Sequence, residues 1–139
     1  MSLVNDQTGP LFRTFMPRRK EILQAKNAHT IDLKVYPPGY FQGFNPTAEF
    51  TKWVLVEVDT VADIPSGMET FELAGGQYAV FHYKGLSSDP SIFQYIFSQW
   101  IPNSKYMVDD RPHFEVLGAK YKNNDPNSEE EIWIPIKEK

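Results

Sequence analysis

Apolar residues recur along this chain with two periods, and the switches between them mark the elements. From Leu11 to Leu23 the spacing is helical: Leu11 with Phe15, Phe12 with Met16, then Ile22 and Leu23. Pro17 lies inside this stretch, so the pattern predicts a kink or a split there. From Thr30 to Tyr36 the period drops to two. Ile31, Leu33 and Val35 alternate with Asp32, Lys34 and Tyr36, which reads as a half-buried strand. Pro37-Pro38-Gly39 ends it, and a loop rich in aromatics follows, with Tyr40, Phe41 and Phe44. Phe50 to Val58 predicts the next strand, with Val54, Val56 and Val58 on one side and Trp53, Leu55 and Glu57 on the other.

The second half repeats this order. A turn at Asp63 to Gly67 and a short strand over Thr70 to Leu73 lead to a strong strand signal from Gln77 to Lys84. Asp89-Pro90 is a good helix start, with Asp as cap and Pro at the first helical position. Ile92, Phe93, Ile96, Phe97 and Trp100 form its apolar stripe, and Pro102 should stop it. Strands are predicted over His113 to Tyr121 and Glu131 to Lys137, separated by a turn at Asn123 to Asn127. Helix, strand, strand therefore occurs twice.

The second copy has a strand before it. The first has only Met1 to Pro10, too few residues for a full one. Either that strand is missing here or its edge is filled otherwise. The expected fold is α+β. Duplicated β-α-β-β units would form an antiparallel sheet, with two helices on one face and a ligand cleft on the other. Its helix-facing side would be aliphatic, carrying Val54, Val56, Val58, Ile132, Ile134 and Ile136. The opposite face would carry Trp53, Glu57, Glu115 and Trp133. A bare sheet face normally meets water and is polar. Large rings with a few polar groups are instead what a pocket is lined with.

Composition narrows the chemistry. The 139 residues suit one domain, 41% are apolar and 14% aromatic, and the longest apolar runs are far too short to span a membrane. There is no cysteine, which removes disulfides, thiolate nucleophiles and Cys-ligated zinc; this suits a reducing cytosol. The formal net charge of −4 is ill matched to phosphate neutralisation, so no direct nucleic-acid binding is expected. The one basic cluster, Arg18-Arg19-Lys20, reads as a solvated helix face. His29, His82 and His113 lack ligand spacing, so no metal is expected, and no nucleotide or cofactor fingerprint is present. Gly75-Gly76 is a turn into a strand.

Glu115 sits between Phe114 and Val116 in an otherwise apolar strand. A lone buried carboxylate is costly unless paired or protonated. It is therefore the first candidate for a pocket anion or a general base. Trp53 and Trp133 are candidate pocket walls, while Trp100 on a helix stripe fits the core. Tyr36, Tyr40, Phe41, Tyr83 and Tyr106 are further candidates, and Glu57 is a candidate partner of Glu115 across the pocket.

Five segments in order resemble one family. Gly75-Gly76-Gln77-Tyr78-Ala79-Val80-Phe81-His82-Tyr83-Lys84-Gly85 is similar to its "G-x-Y-A-V-F-x-x-K-G" run. Trp100-Ile101-Pro102 is similar to "W-L-P", and Arg111-Pro112-His113-Phe114-Glu115-Val116 to "R-P-x-F-E-x-Y". Glu131 to Ile136 resembles "E-I-W-I-P-I", and Leu11-Phe12 to Glu21-Ile22 resembles "L-W-x-x-F-x-P-R-x-x-E-I". The family is the GyrI-like small-molecule-binding domain, found also as the effector domain of AraC- and MerR-type regulators. Leu117 departs from it, standing where an aromatic is common.

The resemblance implies the duplicated fold and a pocket for lipophilic, frequently cationic compounds, with the glutamate at the position of Glu115 inside it. It implies a stand-alone domain that senses or sequesters a small organic ligand without a cofactor. Two alternatives come with it. One is hydrolysis of an electrophilic toxin with Glu115 as base; the other is modulation of a protein such as gyrase by contact. A homodimer or a protein partner would then use the open sheet edge.

Overall fold

The computed structural model describes residues 1–139. The first helical pattern forms α1 (Thr8–Phe15) and then tightens into a 3-10 segment over Met16–Glu21. Pro17 falls at the start of the tighter segment, so the sequence-predicted split occurs where the missing N–H requires it. Strands β1 (Thr30–Val35) and β2 (Thr51–Leu55) follow. The second half opens with β3 (Tyr78–Lys84). Next comes a helical run made of α2 (Ser91–Tyr95), a π turn (Ile96–Trp100) and α3 (Ile101–Asn103). Asp89 accepts the Ser91 backbone N–H at 2.9 Å at its start. Strands β4 (Tyr106–Val108), β5 (His113–Leu117) and β6 (Glu129–Glu138) complete the chain.

Two local expectations fail, and one strand is new. Residues Thr70 to Leu73 form no strand. Pro102 does not stop the helix; the backbone meets it through a widened π turn and continues to Asn103. The short strand β4 went unseen in the sequence because its three residues pair only with the far end of β6.

All pairings are antiparallel, in the order β2-β1-β5-β6-β3, with β4 added on β6. The fold is thus the α+β arrangement that the repeat implies. On the helix side, Ala79, Ile132, Ile134 and Ile136 pack with Ile96 and Ile101 of the second helical run into the main core. Phe81, Phe93, Phe97 and Trp100 complete it. The first half is more thinly covered: neither α1 nor the 3-10 segment contains a fully buried residue. Met1 and Phe50 exchange backbone hydrogen bonds at 3.0 and 2.9 Å, just outside β2.

Candidate functional site

In antiparallel pairs, directly opposed residues share a side of the sheet. The register therefore places one row across the helix side: Val54, Asp32, Glu115, Ile132 and Phe81. The next row on that side holds Lys52, Lys34 and His113. Charged residues of β1, β2 and β5 thus meet under the helices. This corrects the sequence-based placement of Glu115 on the opposite side.

The two rows form an ion-pair chain. Lys34 Nζ donates to Glu115 Oε1 at 2.7 Å and lies 3.2 Å from Asp32 Oδ1. Lys52 Nζ donates to Asp32 Oδ2 at 3.3 Å and to Thr8 Oγ1 at 2.8 Å, which ties the start of α1 to the sheet. These side chains are only 10–13% exposed. Asp32 Oδ1 is close to Lys34 but makes no directed hydrogen bond, so its contact there is electrostatic. Burial alone would lower the pKa of Lys34, but Glu115 and Asp32 outweigh it and hold the ammonium firmly charged. Glu130 is buried beside Glu115. Burial first, then the Glu115 charge and hydrogen bond, push its carboxyl up to about 8, which favours its neutral form. Its Oε2 has no hydrogen-bond partner.

Aromatic rings roof this ionic floor. Tyr36, one residue past β1, packs against Tyr40, Phe41, Phe50 and His113, with centroids 4.6–5.1 Å away. Phe41 stacks on Phe97 at 5.3 Å and 17°, and on His113 at 5.3 Å and 24°. The 37–44 loop therefore reaches from β1 across to the second helical run. Gly39 and Gly43, with φ of +79° and +89°, hold left-handed conformations on either side of Phe41 that disfavour other residues. Burial pushes the Tyr36 phenol up to about 12. Burial, reinforced by the Lys34 charge, holds His113 down at about 3, so its imidazole is neutral.

The other predicted residues are dispersed. Trp53 and Trp133 lie on the far side of the sheet, with Leu33 and Phe114 between them in one row. Trp133 stacks on Phe114 at 5.1 Å and 18°, and Trp53 meets Phe71 at 5.1 Å. That side is an aromatic layer without Glu115. Glu57 is exposed and lies 3.6 Å from Lys26, so it does not face Glu115 across a pocket. Tyr83 is on the helix side at the edge strand and donates its hydroxyl to the Leu86 carbonyl at 2.8 Å. Trp100 packs on Phe81 at 5.1 Å, and Tyr106 packs against the main core.

Sequence reading missed Asp32, Lys34, Lys52 and Glu130, and saw Phe97 only as part of a helix stripe. An available signal was charge complementarity between the D-x-K of β1 and the H-x-E of β5.

Two shallow hollows open elsewhere. One of about 270 Å3 is lined by Tyr95, Gln99, Trp100, Asn103 and Ser104. Another of about 190 Å3 is lined by residues including His29, His82, Lys120 and Glu130. Glu115 lines neither of them. No group of three or more acidic or His side chains is arranged to hold a metal ion. No helix is long and apolar enough to cross a membrane.

Residues 2–136 match the family model described as Cass2, integron-associated effector binding protein. The chain belongs to this family. Cass2 is a GyrI-like effector-binding domain family, in agreement with the motif resemblance and with the antiparallel sheet and its helices. Membership supports small-molecule binding in general. No curated protein matches the chain.

Proposed function

We propose that this Cass2-family domain binds a lipophilic small molecule in the helix-side cleft, between the ionic floor at Glu115 and the roof around Phe41. One observation carries the reading: a desolvated row of charges lies next to Tyr36 and His113, and the loop ring Phe41 packs on both. Unligated cores rarely spend stability on buried charges, which need partners on every side. A ligand pocket uses a few such groups to orient its guest and rings to bind it. Phe41 itself is 47% exposed, so displacing it uncovers the cleft at low cost. In this reading the left-handed glycines on either side are the points about which the loop swings. Glu115 already accepts the Lys34 hydrogen bond, which favours a fixed, orienting anion over a free base for hydrolysis. The domain would then sense or sequester its ligand without a cofactor.

A thermal-shift screen of lipophilic compounds tests this. A ligand at a hundred times its dissociation constant should stabilise the protein by about 2.7 kcal/mol. Phe97→Ala removes the ring on which Phe41 closes and should change ligand affinity at least several-fold. Binding that is indifferent to both Phe97→Ala and Phe41→Ala would place the ligand elsewhere.

A further inference from the structure

The ionic floor has no spare negative charge. Asp32 and Glu115 supply two carboxylates, and Lys34 and Lys52 supply two ammonium groups against them. The third acid beside them, Glu130, is pushed toward its neutral form by burial and by the Glu115 charge. Lys34 occupies the place that matters: its Nζ sits 2.7 Å from Glu115 and 3.2 Å from Asp32, and the residue itself is paired across the strands with His113.

We propose that Lys34 is the specificity-determining residue of the cleft: it fills the cation position against Glu115, so the site takes neutral or anionic lipophilic ligands and rejects lipophilic cations of the same shape. This rests on the cleft being the binding site. A cation brought to Glu115 meets the Lys34 ammonium first. It gains an ion pair only by breaking an existing one in a poorly solvated place, where an uncompensated charge is most costly. An anion or a carbonyl-bearing ligand meets the opposite situation. An ammonium has three donors; Glu115 accepts one as a hydrogen bond, and Asp32 faces the group without a directed bond. A remaining donor can meet a ligand oxygen or face a ligand charge. His113 is neutral and adds no competing cation. The overall charge of −4 works against this preference, so an anion preference cannot come from the general field of the protein.

Tetraphenylborate and tetraphenylphosphonium have nearly the same shape and opposite charge. Calorimetric titration of the full chain with each should give at least tenfold tighter binding of the borate. Lys34→Met should reverse the order, and Lys34→Arg should keep it. Should Lys34→Met fail to fold, the wild-type pair alone decides. Tighter binding of the phosphonium to the wild-type chain, with affinity that still responds to Phe41→Ala, keeps the cleft and overturns the role of Lys34. Equal affinity for the two ions overturns it as well. Binding of neither ion, nor of neutral triphenylphosphine oxide, removes the cleft reading and the proposal with it.

Discussion

The two ends of the helix side hold together by opposite means. At the end formed by β3 and β6, Ala79, Ile132, Ile134 and Ile136 bury aliphatic surface against Ile96 and Ile101. At the end formed by β1, β2 and β5, Asp32, Lys34, Lys52 and Glu115 bury charge against charge. Aliphatic burial is non-directional and stabilises roughly in proportion to area. A buried ion pair at best recovers its own desolvation cost. The apolar end therefore supplies stability, and the ionic end is where the domain has accepted a constraint for another purpose. The helices agree with this. The second helical run contributes two buried isoleucines, whereas α1 and its 3-10 extension contribute none.

The largest test of that contrast is Lys34→Met. It leaves Glu115 without its 2.7 Å partner and should cost about 4 kcal/mol in a urea titration. Replacing both partners, as in Lys34→Met with Glu115→Leu, should recover most of the loss, because no uncompensated charge remains. A double variant as unstable as the single one would mean that packing, not charge, dominates there. At the apolar end, Ile134→Ala should cost about 3 kcal/mol, and no second substitution among the ionic residues should restore it.

Glu130 gives a smaller effect with a defined sign. Its folded pKa of about 8 lies above the ordinary carboxylate value of 4.5, so between these the folded chain holds a proton that the unfolded chain has lost. Wild-type stability should therefore fall as pH rises through that window and level off above it. The groups that set this are Glu115, Asp32 and Lys34, with Tyr83 opposite Glu130 on β3. Glu130→Gln should match the wild type near pH 5. It should exceed it by on the order of 2 kcal/mol near pH 9, measured by denaturant midpoints at each pH. The smallest expected effect is Phe41→Ala, below about 1 kcal/mol in stability because the residue is nearly half exposed.

Much of this was legible in the sequence, and the failures have one physical cause. The order of elements, the duplication and the split at Pro17 follow from local periodicity and backbone chemistry. The family motifs lay in the strands and helix starts. The side of the sheet to which Glu115 belongs did not follow. In β5, His113, Glu115 and Leu117 alternate with Phe114 and Val116, a pattern that can face either way. Assigning it requires knowing that Glu115 pairs with Asp32 and Ile132 across strands 83 and 17 residues away. The rule that charges face water then chose the wrong side, since Asp32 and Lys34 are buried together. Trp53 and Trp133 were correctly placed on one side with each other, and wrongly with Glu115.

The central claim is that the ligand enters on the helix side, beneath Phe41. The most direct test is amide and indole chemical-shift mapping of the isotopically labelled chain, titrated with whichever tetraphenyl ion binds it more tightly. The account predicts large shifts at Tyr36 to Gly43, at Phe97 and at His113, with the indole N–H signals of Trp53 and Trp133 left unmoved. Shifts centred on those two indoles and on Phe71 and Tyr78, with the Phe41 loop unaffected, would contradict it.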